Sequence, residues 1–315
     1  MKQESRLVKQ IRFVLAACQH YGLQDYSCKH SRKDFRQSQL VALLAFKQEI
    51  EKPYRETAIY AGEMPRIAEA LQLQKLPHFT TMQKALKRFS RSLLEDILGY
   101  AALIAVYGDS LRFSIREAQD ASFDGTGYFL TSASRYFQER LKRKTKAKHF
   151  LHSVIGVLTS FLLIFCSKQK RGPANDSPAL IPLLNESVLP LDRILADKGF
   201  DSEANLCAIH DSGSEPLIPV REGKCAPSRT KLRKRMNARF RNDLHSHEIY
   251  GKRALSETVF SVVKRVYGSV LHARSVAMQK KELMTRYLAY NARRAVQLME
   301  LLGRFLQSRK KGSFK

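Results

Sequence analysis

No apolar run in this chain reaches the roughly 20 residues that a bilayer-spanning helix needs. The longest, Leu151 to Cys166, is interrupted by His152, Ser153, Thr159 and Ser160, so no membrane span is expected. The first residues, MKQESRLVKQ, carry no apolar region ahead of a small-residue cleavage site, and no secretory signal is expected. Cysteine is scarce: five residues, at 18, 28, 166, 207 and 225, odd in number and without C-x-x-C spacing. That excludes a disulfide framework and argues against a zinc site, leaving reduced thiols in a cytoplasmic protein as the expectation. His149, His152, His245 and His247 form neither H-x3-H nor H-E-x-x-H. Neither a P-loop nor G-x-G-x-x-G occurs, so nothing supports ATP or NAD chemistry.

Acid is the other scarcity. Against 55 Lys and Arg stand only 29 Asp and Glu, a formal net charge of +26 and a pI near 10.0 in 315 residues. The 44% of hydrophobic residues is enough for a buried core, which excludes a disordered tail or a collagen-like chain. At about 100–200 residues per domain, two or three domains fit. So large a positive charge repels itself unless an anion neutralises it; nucleic acid is the first candidate and an anionic membrane surface the second. Pro219 to Lys315 holds 24 basic and 6 acidic residues, against 31 and 23 in the rest of the chain. A basic C-terminal third is the pattern of a phosphate-binding surface. The densest runs are Arg140 to Lys148 and Ser228 to Arg241, the latter with seven basic residues in fourteen and no acid. Each run taken alone also reads as a solvated helix face.

The first 110 residues read as helical. Leu40, Leu43, Leu44 and Phe46 give Gln39 to Glu51 an apolar face, with Ser38 as its N-cap. Pro53 and Pro65 open two more helices, and Thr80 or Thr81 caps a long amphipathic one. This pattern suits a helix-turn-helix DNA reader and a plain helical scaffold equally. From about residue 118, SFDGTGYFL, KHFLHSVIGVL and FLLIFCSK read as strands. A helix opened by Asp176 or Ser177 follows, then strand LDRILADKG, helix DSEANLCAIHD and strand EPLIPV. This order predicts a mixed α/β sheet. From Ser246 onward the chain reads as helix again.

Three acids stand where such a sheet builds sites: Asp124 in the first strand, Asp197 at the end of the fourth and Glu257 in the C-terminal helical region. Carboxylates are hard oxygen ligands suited to Mg²⁺, and two such ions clamp the attacking and leaving oxygens of an in-line phosphoryl displacement. Taken singly, each acid reads more readily as a surface or cap residue. In YGKRALSETVFSVVK, however, Tyr250, Arg253, Glu257 and Lys264 fall within an arc of about 60° if one helix runs through Gly251. One stripe then carries a hydroxyl, a guanidinium, a carboxylate and an ammonium, which suits a scissile phosphodiester and its end phosphates. Asp201 and Glu203 are competing acids. Asp201 is expected to cap the next helix, Asp192 to lie in a turn before the strand, and Tyr287 and Tyr290 to be core.

The pattern Y-x2-R-x3-E-x6-K, preceded by FDGTG and ADKGFD, resembles the DDE transposases of prokaryotic insertion sequences, more narrowly the group with the Y-R-E-K signature. The resemblance covers about residues 40 to 300. It implies a ribonuclease-H-like α/β fold, a mixed sheet flanked by helices, with a helical N-terminal DNA-binding region at 1–115. The catalytic domain is then 116–300 and a basic tail 301–315. It implies Asp124, Asp197 and Glu257 as catalytic, metal-binding residues holding two Mg²⁺ ions, with Mn²⁺ able to substitute. Tyr250, Arg253 and Lys264 become DNA-end contacts. The implied partner is double-stranded DNA, at transposon ends and target, in a synaptic homodimer or larger. The implied reaction frees a 3′-OH at the transposon ends and joins it to target DNA by transesterification. Only 60 positions separate Asp197 from Glu257, so no large inserted domain is expected there. The competing functions are a catalytically inactive DNA-binding repressor and a basic RNA-binding protein.

Overall fold

A computed structural model of the chain describes residues 4–30, 32–108, 119–130, 150–221 and 231–312. The basic run from Arg140 to Lys148, His149, Cys225 and the start of the second run at 228–230 lie outside the described residues. Two compact units form, Met1–Val106 with Lys281–Lys315, and Tyr107–Lys280.

The first unit is helical: α1 (Arg6–Tyr21), α2 (Gln37–Glu49), α3 (Tyr54–Glu63), α4 (Pro65–Ala70), α5 (Phe79–Arg88) and α6 (Arg91–Tyr107). Every residue of α2 from Leu40 to Phe46 is buried, and a helix apolar all round belongs at the centre of a bundle. The caps differ from those expected. Arg36, not Ser38, precedes α2, and its N–H donates to Gln39 Oε1 at 2.7 Å. His78 rather than a threonine precedes α5. The long amphipathic pattern breaks at Ser90, whose Oγ accepts the Leu93 N–H at 3.0 Å and starts a separate α6. The last helix, α12 (Val276–Gly312), lends this unit its stretch after Lys281. Thr285 accepts from Gln48 at 2.9 Å, and Arg293 donates to Glu49 at 2.7 Å. Tyr287 and Tyr290 are buried there, as core residues.

The second unit is built on a mixed sheet of six strands flanked by helices, the expected ribonuclease-H-like α/β arrangement. Its strands are β1 (Gln119–Leu130), β2 (Phe150–Leu158), β3 (Leu163–Arg171), β4 (Leu191–Ala196), β5 (Glu215–Leu217) and β6 (Val270–Leu271). The order is β3-β2-β1-β4-β5, antiparallel from β3 to β1 and parallel from β1 to β5, with β6 joining the far end of β1. The helices are α7 (Leu180–Asn185), α8 (Glu203–Asp211), α9 (Lys231–Asn242), α10 (Leu244–Gly251) and α11 (Leu255–Tyr267). Asp192 lies within β4, not in a turn before it. Among the described residues, the stretch from Asp197 to Glu257 holds α8, β5, α9 and α10, and no helix is long and apolar enough to cross a membrane.

Candidate active site

The register of two parallel strands brings the first two acids together. β1 and β4 pair as far as Phe123 opposite Ala196, and the next residue on each is Asp124 and Asp197. Adjacent strands lie about 4.8 Å apart, so the backbones of the two acids follow directly on the last paired residues, at the carboxyl end of the parallel pair. There β4 leaves the sheet. Asp197 turns its Oδ1 onto the Gly199 N–H at 2.6 Å, capping the 3₁₀ turn Lys198–Phe200. Along the edge that β4 vacates, β1 gains a strand again only at Phe129, opposite Val270. Strand ends at such a switch in pairing are where α/β sheets place ligands.

The third acid arrives on α11, which lies across one face of β1. Side chains alternate along a strand, so Ser122, Asp124, Thr126 and Tyr128 share a face. Ser122 Oγ lies 3.0 Å from the Arg253 carbonyl and 3.2 Å from Ser256 Oγ. Lys264 Nζ donates to Thr126 Oγ1 at 2.6 Å and sits 5.3 Å from the centre of the Tyr128 ring. Asp124 is thus bracketed by two attachments of α11, with Glu257 in the first turn of that helix. The assumed single helix is not observed. A 3₁₀ turn, Lys252–Ala254, separates α10 from α11. Arg253, on that turn, donates from Nη2 to Glu257 Oε1 at 2.9 Å. Tyr250 is half-buried, its ring 5.1 Å from that of Phe240 in an edge-to-face pair.

Electrostatics tie these residues into one neighbourhood. Burial pushes the Asp124 carboxyl above the usual range; Glu257 and Asp176 push the same way, opposed by the Gly125 N–H and Arg253. Burial also raises the Tyr250 hydroxyl, reinforced by Asp197 and Asp124. Burial lowers the Lys264 ammonium. Crowded carboxylates with oxygen-only donor chemistry fit a hard divalent cation, which would relieve their mutual repulsion. Among the described residues, no three Asp, Glu, His or Cys side chains converge on one point as a finished metal site does. Glu257 has 58% of its side chain exposed and its carboxylate on Arg253.

Two readings of neighbouring residues change. Asp201 does not cap α8; Ser202 does, accepting from the Asn205 N–H at 3.2 Å. The buried Asp201 carboxylate instead takes Arg233 at 2.5 Å and the Arg221 N–H at 2.9 Å. Asp176 and His152 are the residues that sequence reasoning left outside the site. Asp176 Oδ1 stands 2.8 Å from His152 Nε2. No local signal marks either one, because the contact forms between β2 and the turn after β3.

The glycines of FDGTG have packing reasons. A Cβ at Gly125 would meet the Asp176 carboxylate, and one at Gly127 would overlap the Phe150 ring. Residues 117–292, which include all six sequence-predicted site residues, match the family model described as Transposase DDE domain. No curated protein matches the chain.

Proposed function

This chain belongs to the transposase DDE domain family, and from that premise we propose that it acts on the DNA ends of a mobile element. It binds the terminal inverted repeats, cuts at the ends with Mg²⁺, and joins the freed 3′-OH to target DNA. The observation that carries this reading is the register of β1 and β4, which sets Asp124 beside Asp197 at the strand ends, under the helix bearing Glu257. Asp124, Asp197 and Glu257 hold the metal in this reading. Bound there, the ions lower the pKa of water and polarise the scissile phosphodiester.

The chain's own residues do the rest. Arg253 and Lys264 take non-bridging and end-phosphate oxygens, and Tyr250 contributes a hydroxyl contact. When a phosphate replaces Glu257 as the partner of Arg253, the Glu257 carboxylate is released toward Asp124. DNA binding and completion of the acid set are then one event. In cleavage, a water oxygen attacks phosphorus and the P–O3′ bond breaks, leaving a 3′-OH. In joining, that oxygen attacks a target phosphodiester as its P–O3′ bond breaks, so phosphodiester bonds balance and no nucleotide is consumed. Membership of the Y-R-E-K group, a synaptic dimer or larger, and action in a prokaryotic cytoplasm belong to the same proposal, as does the division into a DNA-binding region at 1–115, a catalytic domain at 116–300 and a tail at 301–315.

The test is cleavage of a duplex carrying the element's terminal repeat against a scrambled duplex, with Mg²⁺, Mn²⁺ or chelator. Repeat-specific nicking that needs a divalent ion supports the proposal. Repeat-specific binding without cleavage under either ion would move the protein to the repressor reading.

A further inference from the structure

Buried Val259, Phe260, Val263 and Tyr267 seat α11 on the sheet, and Lys264 stands half-buried at the margin of that row. Its ammonium lies 5.3 Å from the centre of the buried Tyr128 ring and donates to Thr126 Oγ1 at 2.6 Å. Thr126 follows Asp124 by two residues, so the two share a face of β1 with their Cα atoms about 7 Å apart.

The two cations expected to hold the DNA end are themselves held differently. Arg253 donates to a carboxylate, that of Glu257. Lys264 donates to a neutral hydroxyl, and among the described residues it forms no ion pair. A lysine ammonium has three N–H donors on a four-carbon stem with large rotamer freedom. One donor on Thr126 fixes the stem and leaves the others for an incoming oxygen. A half-buried charge without a counter-ion is completed by an anion. On a chain that binds duplex ends, that anion is a backbone phosphate.

We infer that Thr126 is the positioning residue of Lys264: its hydroxyl holds the ammonium on the Asp124 face of β1, where it meets a phosphate of the DNA end. The inference rests on the reading of Lys264 as a DNA-end contact given above. The hydroxyl fixes the ammonium in place and adds no charge. A carboxylate at this position would neutralise Lys264 and repel the phosphate.

Equilibrium binding of the full chain to a duplex carrying the terminal repeat, and to a scrambled duplex, tests this in chelator, so that binding is read apart from cutting. Thermal melting checks that each variant is folded. Thr126→Val keeps the branched shape and removes the hydroxyl. It is expected to weaken repeat binding by about threefold to thirtyfold, the range that the rotamer freedom of a released lysine allows. Thr126→Ser, which keeps the hydroxyl, is expected to bind within about twofold of wild type. Lys264→Ala is expected to weaken repeat binding by about tenfold or more. Adding Thr126→Val to Lys264→Ala is expected to change nothing further, since the threonine acts through the lysine. Wild-type binding in Thr126→Val, with loss in Lys264→Ala, overturns the inference and leaves the site reading standing. So does a loss in Thr126→Val that is the same with or without Lys264, or that Thr126→Ser shares, because the threonine then acts through the strand. Wild-type binding in Lys264→Ala overturns both. If Thr126→Val melts too low for binding to be measured, Thr126→Ala takes its place in the same cycle.

Discussion

Gly127 and Phe150 meet across the β1–β2 ladder, where the ring occupies the space of an absent Cβ. Gly127→Ala forces that ring or the strand to move, and such overpacking costs about 1–3 kcal/mol. The expected result is a lower melting temperature, measured by calorimetry, with the ribonuclease-H-like secondary structure retained by circular dichroism. For the acids the expectation is opposite: Asp124→Asn, Asp197→Asn and Glu257→Gln each abolish cleavage while DNA-end binding holds or rises. Neutralising a carboxylate removes repulsion against phosphate. A mutant that cuts at near wild-type rate would remove that residue from the catalytic set. Arg253 is different again, since it faces Glu257 now and a phosphate in the proposed complex. Arg253→Ala is expected to weaken end-specific binding by about ten- to a hundred-fold, or about 1.5–3 kcal/mol for a charge-assisted contact. Arg253→Lys should rescue only part, because an ammonium cannot make a bidentate pair. Full rescue of Arg253→Ala cleavage by excess Mg²⁺ would show that the guanidinium serves the carboxylate rather than the DNA.

Helix α9 carries most of the basic run, and four of its described cations divide into two pairs. Arg233 is paired with Asp201 at 2.5 Å, and Arg239 is paired with Glu215. Between them the buried Met236 packs with Leu195, Leu217 and Ile249, fixing which face of α9 turns inward. Lys234 and Arg235 point outward and are exposed. Replacing Lys234 and Arg235 with Gln is expected to flatten the log–log salt dependence of non-specific DNA binding, by up to about 0.9 for each phosphate no longer neutralised. Arg233→Gln is expected to destabilise the fold instead, since it leaves the buried Asp201 carboxylate short of a partner. Binding measured from low to moderate salt separates the two groups. Equal slopes for the Lys234/Arg235 double variant and the wild type would make that face of α9 merely solvated.

Over the whole chain, a net charge of +26 predicts tight, salt-sensitive attachment to any duplex before repeats are recognised. Non-specific affinity should fall by orders of magnitude between about 50 and 200 mM salt if six or more phosphates are neutralised. Cleavage specificity for repeat over scrambled DNA should rise over the same range. A binding curve indifferent to salt would show that the positive surface does not meet the phosphate backbone.

The strands around the site were legible in the amino-acid sequence because strand identity is written locally, in alternating or continuous apolar runs between turn residues. The positions of Asp124, Asp197 and Glu257 within FDGTG, ADKGFD and the Tyr–Arg–Glu–Lys spacing were legible for the same reason. Hydrophobic periodicity likewise found α2, but not its cap, since which backbone N–H finds a side chain depends on the path of the preceding loop. The 3₁₀ turn at Lys252–Ala254 was not legible either. Nothing in its composition forbids a continuous helix, and the turn instead coincides with the anchorage of Arg253 and Ser256 to Ser122. The pairing of Asp176 with His152 over Gly125, and the division of α9 into tied and exposed cations, join residues distant along the chain. Local propensity carries no information about such contacts. Only the packing of β2, β3 and α9 around β1 and β4 decides which charges meet a partner and which face solvent.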